Sequence, residues 1–270
     1  MPMIGYRELL KTFRSLPISE KHPVLLHISD RFPERIQGGV KTLVGTLRES
    51  FPCLMMPAFT YQTMVYPKKG PRYNGVEYNN PPLDNREAVF FHPHLPVSEE
   101  AGKVAEAFRK LPVVKRSSHP ILSFSGIHVD QELQSQTLSQ PYAPLATLEK
   151  RGGWILMIDQ DQTSNFTIHY ALYKGGRALF TRWALTSAGV KSCPHFPGCE
   201  EGFPALDRYL QEESHHRQIE TIPMTAVPMQ SILHNVKTLL NQNPLALLCD
   251  KEHCLKCASI RARYQQTSQV

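Results

Sequence analysis

Long hydrophobic runs are missing from this chain. No stretch of its 270 residues approaches the roughly 18 consecutive apolar residues of a membrane-crossing helix, so none is expected. The opening segment MPMIGYRELLKTFRSLP lacks the basic start, apolar middle and small-residue cleavage site of a secretory leader, which makes the cytoplasm the expected location. Internal repeats, low-complexity tracts and clean linkers are absent too. That points to one body over 1–270 with a smaller cysteine-containing C-terminal lobe over 190–260.

Dense basic segments are also lacking. Thirty Lys and Arg against 24 Asp and Glu give a net charge of +6, yet the tightest runs, PKKGPR and VVKRSS, are short. A mildly basic surface favours anionic partners, and scattered charge favours a phosphate-bearing small molecule over nucleic acid. Cysteine is scarce before residue 190, where Cys53 stands alone; the other five are Cys193, Cys199, Cys249, Cys254 and Cys257. In a cytosolic chain such clustering suggests metal or reduced thiols more than disulfides.

What is present has α/β character. Hydrophobic residues make up 41% and charged residues 20%, ordinary values for a soluble protein with a sizeable core. PVLLHIS (23–29) has the pattern of a buried strand, VKTLVGTLRES (40–50) has helical spacing, and CLMMPAF (53–59) is the next strand. This strand–helix–strand unit predicts a largely parallel central sheet flanked by helices. Residues 60–98 have no periodicity and are rich in Pro, Asn and Tyr; a segment this long is expected to act as a substrate or lid loop. SEEAGKVAEAFRKL (98–111), APLATLEKRGG (143–153), GFPALDRYLQEE (202–213) and MQSILHNVKTLLNQNP (229–244) are expected helices. WILMI (154–158) is a third buried strand, and RALFTRWALTSAGV is one or two antiparallel strands.

After WILMI come two aspartates and then SNFTIHYAL. With Ser164 or Asn165 as N-cap, Asn165, His169, Leu172 and Tyr173 share one helix face. A catalytic histidine needs a partner that fixes its tautomer, and Asp159, Asp161 and Tyr173 are the local candidates.

Several ordered motifs resemble the aminoglycoside 3-N-acetyltransferase family. They are Arg116, Ser117, His119, Pro120, Ser123, Phe124 and Gly126; then YAPLATLEKRGGWILMI; then Asn165, Phe166, Thr167, His169 and Ala171. LLHISD, Gly38-Gly39 and MMPAFT extend the likeness, which covers roughly residues 23–260. The resemblance implies an acetyltransferase-like domain of a non-GNAT α/β type, associated with antibiotic resistance, that passes an acetyl group from acetyl-CoA directly to an amine. It places the general base at His169, in the motif that opens at Asn165; spacing adds Asp159 as the catalytic carboxylate beside them. It places cofactor contacts at Ser29, Gly38, Gly39, Arg116, Ser117 and Ser123. CoA phosphates suit a helix N-terminus and arginines, and a thioester oxygen gaining charge needs backbone N–H donors.

Two departures qualify this. The family's H-x-A-E motif ends here in Leu172, and HISD stands in place of H-S-S-L. A polycationic aminoglycoside is best held by an acidic pocket, so a chain at +6 without that glutamate is expected to take another amine or a hydroxyl acceptor. The alternative is a non-catalytic relative that binds a ligand or partner protein. A zinc-stabilised nucleic-acid binder is a weaker one. A homo-oligomer is compatible with the sequence.

CPHFPGC and the C-x-x-C of CDKEHCLKC together resemble a structural zinc site. The expected ligands are Cys193, Cys199, Cys254 and Cys257, with His195 and His253 as substitutes and Cys249, after LALL, in the core.

Overall fold

Every residue of Val24–Ile28 (β1) is apolar or buried, the mark of a strand covered on both faces. In this computed structural model, which describes residues 3–267, β1 lies at the centre of a seven-stranded sheet. It pairs in parallel with Leu54–Pro57 (β2) on one side and Trp154–Ile158 (β6) on the other, Leu25 opposite both Met55 and Ile155. A parallel pair needs a crossover, and Gly39–Ser50 (α2) makes the one between β1 and β2.

Antiparallel strands complete both flanks. Phe124–Ile127 (β5) pairs with β2 and carries Lys115–Arg116 (β4) outside it. Ile222–Pro228 (β10) pairs with β6 and carries His215–Ile219 (β9). Only β5 and β10 oppose the common direction, so the α/β sheet is largely co-directional, with parallel pairing confined to β2–β1–β6. A second, three-stranded antiparallel sheet joins Met64–Val65 (β3), Phe180–Thr186 (β7) and Gly189–Phe196 (β8).

Strand alternation divides the core in two. Val24 and Leu26 pack with Leu9 and Phe13 of Tyr6–Arg14 (α1), Leu43 and Leu47 of α2, and Phe108 of Lys103–Arg109 (α3). Leu25, Ile155 and Met157 face the opposite side. There they meet Leu148 of Ala143–Lys150 (α5), Ile168 of Phe166–Lys174 (α6) and Ile232 of Met229–Gln242 (α7).

The structure departs from the sequence reading in four places. The helix expected over 98–111 is broken at Gly102 (φ +90°) into a 3-10 turn at Glu99–Ala101 and α3. The cause is Asp30, whose carboxylate accepts the Lys103 N–H at 2.7 Å and caps α3 from another segment. A Cβ on Gly102 would lie 2.6 Å from Asp30 Oδ1, so only glycine leaves room for this cap. The 202–213 helix is a 3-10 turn over Phe203–Tyr209. Two helices were not anticipated: Asp130–Ser135 (α4) and Leu255–Thr267 (α8). No described helix is long and apolar enough to cross a membrane.

Candidate active site

A cavity of about 640 Å³ opens beyond the C-terminal ends of the central parallel strands. Ligands in open α/β sheets gather at this edge. Strand β1 supplies His27 and Ile28, β2 supplies Met56 and Pro57, and the loop after β6 supplies Gln160, Thr163 and Ser164. The irregular 60–98 segment contributes Tyr61, Met64, Tyr66, Val76, Pro82 and Leu83. The opposite wall is Phe196–Gly198 and Glu200, with Lys256 from α8 and Arg182 from β7.

His169 lines this cavity and is only 6% exposed. A chain of local hydrogen bonds sets its position. Asp161 accepts the Thr163 N–H and starts a 3-10 turn over Gln162–Ser164. Asn165 then caps α6, its side-chain oxygen accepting the Thr167 N–H at 3.2 Å while Nδ2 donates to Gln162 Oε1 at 2.8 Å. Residues 166–172 of α6 are all buried, so His169 projects from a helix embedded in the core. Its ring meets Phe203 and Phe166 edge to face, with centroids 4.8 and 5.5 Å away. Its Nδ1 is buried and has no hydrogen-bond partner among the described residues. Burial, reinforced by the positive charges of Lys256 and Arg177, lowers its pKa to about 3, far below an ordinary histidine near neutrality. The imidazole is neutral at physiological pH.

The other expected catalytic groups lie elsewhere. Asn165 is fully buried and engaged as a helix cap. Asp159 turns the chain at φ +52° and is outside the cavity lining, as is Asp161. Tyr173 stacks on Tyr142 at 5.3 Å. None of the three local candidates hydrogen-bonds to His169 among the described residues. Leu172, at the glutamate position, is a core residue at 3% exposure.

The expected cofactor contacts divide into two groups. Arg116 spends its donors within the protein: Nε on Ser123 Oγ at 3.0 Å, Nη2 on the Ala58 carbonyl at 2.7 Å, and Nη1 on the Leu95 carbonyl. Ser117 and Ser123 are buried; their hydroxyls donate to Gln136 and to the Ala58 carbonyl. His119 accepts the Leu122 N–H at Nδ1. This stretch of the motif is therefore a clamp binding β4 and β5 to the end of β2, away from the cavity lining. Ser29 accepts the Arg31 N–H, and Gly38 and Gly39 open α2 with positive φ, no side-chain cap and no acidic residue in the first turn.

Several cavity groups escaped the sequence reading. His27, also 6% exposed, has its pKa lowered to about 3 by burial. Tyr61 is pushed well above its usual range by burial and by the charges of Glu200 and Glu100, so it stays a neutral hydroxyl. The HIS at the end of β1 was the one available signal. Nothing in the sequence connects Tyr61, Glu100, Glu200 and Lys256.

The metal-ligand expectation needs one correction. Cys199, Cys254 and Cys257 converge, but their fourth companion is Cys249. Cys193 points from β8 into the main core, its thiol raised to about 12 by burial. His195 instead packs on Tyr173 at 4.7 Å, and His253 is exposed outside the cluster.

A sequence model described as aminoglycoside 3-N-acetyltransferase matches residues 25–241. The SPbeta prophage-derived aminoglycoside N(3')-acetyltransferase-like protein YokD of Bacillus subtilis (strain 168) is 25% identical over 185 residues. That match spans 62% of this chain and 64% of YokD, just under two thirds of its length. Aminoglycoside N(3)-acetyltransferase IV of Salmonella sp is 25% identical over 216 residues, 77% of this chain and 75% of that protein. Among solved structures, the apoenzyme of aminoglycoside acetyltransferase AAC(3)-IVa superposes with a TM-score of 0.79 at 23% identity, covering 96% of this chain and 98% of that one. The binary structure of AAC-IIIb with CoASH gives 0.69 at 18% identity, covering 88% and 96%.

Proposed function

The chain belongs to the aminoglycoside 3-N-acetyltransferase family, and from that premise we propose that it transfers an acetyl group from acetyl-CoA directly to an amine with His169 as general base. The observation that carries this reading is a neutral, buried histidine on the wall of a cavity at the C-terminal edge of the parallel strands.

In this reading the free amine attacks the thioester carbon. The C–N bond forms, the carbonyl electrons move onto oxygen, and the nitrogen becomes strongly acidic. His169 takes the proton at that point. A base of low pKa suffices because the donor's own acidity rises as the bond forms. Collapse of the tetrahedral intermediate breaks the C–S bond and expels CoA thiolate, which takes the proton from the His169 imidazolium and returns the base to its neutral form. Glu100 and Glu200 attract the acceptor's ammonium groups, and the rings of Phe59, Tyr66 and Phe196 cover its apolar body.

Two carboxylates against Lys256 and Arg182 in one cavity favour an acceptor with one or two amines over a densely cationic one. The CoA phosphates are assigned to the opening of α2, where no side chain caps the helix and the Gly39 N–H itself donates to the Ile36 carbonyl at 2.9 Å. Arg116, Ser117 and Ser123 are given no cofactor role, since their hydrogen-bonding groups are occupied.

Calorimetric titration with acetyl-CoA and CoA tests the reading. Saturable micromolar binding, with transfer abolished in His169→Ala, is the expected result. No binding up to millimolar ligand would favour a non-catalytic family relative.

A further inference from the structure

Four cysteines from three separate segments meet beside the cavity. Cys199 follows β8, Cys249 follows α7, Cys254 immediately precedes α8 and Cys257 lies in its first turn. Their sulfur atoms all lie within 4.8 Å of one another, and Cys249 and Cys257 are 3.5 Å apart. A disulfide would bring two sulfurs to about 2.05 Å. A tetrahedron with metal–sulfur arms of about 2.3 Å has sulfur–sulfur edges of about 3.8 Å. The cluster has the second spacing, and all four cysteines are free.

A second observation comes from Arg177. This guanidinium is 8% exposed, and among the described residues its Nε and Nη1 have no partner; Nη2 donates to the Pro244 and Ala246 carbonyls. Burial lowers its pKa to about 10, and the neighbouring Cys257 only partly offsets this. A buried guanidinium without a counter-charge is disfavoured. Four neutral thiols offer none, whereas four thiolates around a dication carry a net charge of −2.

We propose that Cys199, Cys249, Cys254 and Cys257 hold one zinc ion, and that this metal fixes the wall of the cavity formed by Pro197, Gly198, Glu200 and Lys256. Four thiolates close the coordination sphere, so the ion has no open position and takes no part in the chemistry. On binding, each thiol releases one proton to solvent and each sulfur donates one electron pair to the metal. The positional consequence follows from sequence adjacency. Glu200 is bonded to Cys199, and Lys256 lies between two ligands, its Nζ donating to the Gly198 carbonyl at 3.2 Å. Among the described residues of α8, only Cys257 and Ile260 are buried, too little apolar contact to dock a helix alone.

The test uses the full chain purified without chelator. Elemental analysis should find roughly one zinc per chain. Cys249→Ser should lose it and Cys193→Ser should keep it. To separate loss of metal from loss of the fold in Cys249→Ser, the wild type is also stripped with a chelator. Thermal stability should fall and return with zinc but not with magnesium, and cobalt should give the visible bands of a tetrahedral thiolate site. Amide exchange over 196–201 and 254–261 should rise on stripping and fall again on reloading. Zinc below about a tenth per chain, iron in its place, or retention by Cys249→Ser but not Cys193→Ser would overturn the site. Unchanged exchange in those two segments would overturn its role in the wall. None of these readouts depends on acetyl transfer.

Discussion

His169 and Phe203 meet edge to face at 4.8 Å, the imidazole from α6 and the phenyl ring from the 3-10 turn that follows the 200 loop. Together with Phe166 this contact orients the histidine by packing. Among the described residues no carboxylate does so, and the position three beyond the histidine is the core residue Leu172. Packing then replaces charge as the device that sets the ring. Removing the base, as in His169→Ala, should lower the transfer rate by about 10²–10⁴-fold with CoA binding retained. Phe203→Leu keeps most of the volume but loosens the ring, and should lower kcat roughly tenfold with little change in the KM for acetyl-CoA. Steady-state kinetics with calorimetry checks both. A His169→Ala enzyme within threefold of wild type would remove the base assignment.

The pH–rate profile follows from the same burial. With a pKa of about 3, His169 is neutral throughout the range from about pH 6 to 9. The rate should therefore rise with pH only as the acceptor amine loses its proton. Two acceptors of different basicity should give two different inflections. A common inflection near about 6.5 for both would show the histidine titrating in its ordinary range.

Acceptor charge should be read by the carboxylates. Glu200→Gln removes one of the two charges that act on Tyr61 in the cavity. The KM for a cationic amine should rise about five- to tenfold, while the KM for acetyl-CoA stays near its wild-type value. Equal effects on both would move Glu200 away from the acceptor side.

The elements around the site were legible where one local pattern sufficed. β1, α2, β2 and β6 announce themselves through buried runs and helical spacing, and Asn165 through its capping position. Long-range choices were not legible. The LALL run before Cys249 points the wrong way, because burial in the main core or at the cluster is decided by how β8 and α7 lie in space. The break at Gly102 depends on Asp30, and α8 carries too weak an apolar stripe to be read as a helix. Arg116 shows the same limit. A guanidinium in a family-like motif suggests a phosphate contact, whereas its acceptors here are carbonyls from chain segments far away in sequence.

Arg116→Ala strips donors from the Ala58 and Leu95 carbonyls and from Ser123, and should cost about 3 kcal/mol of stability. Calorimetric CoA affinity should be unchanged at a temperature where the variant is folded. A large loss of CoA affinity without a shift in the urea midpoint would restore the phosphate role.

Stability should fall steeply in mild acid. Burial holds His27 and His169 at about 3 and His119 at about 4, all below the value of about 6.5 expected for an unfolded chain. Below about pH 6.5 the unfolded chain takes up protons that the folded protein refuses, so these three groups stabilise the fold above that pH. Their contribution is lost as pH falls towards the folded values. Each histidine contributes a slope of about 1.4 kcal/mol per pH unit in that window, and the three together up to about 4. The thermal midpoint should thus be flat from about pH 8 to 7 and drop sharply below about 6. His27→Asn removes one titrating group and should make the acid limb shallower by about a third. An identical limb in that variant would mean that His27 already takes up its proton in the folded protein, with water reaching the β1 end of the cavity.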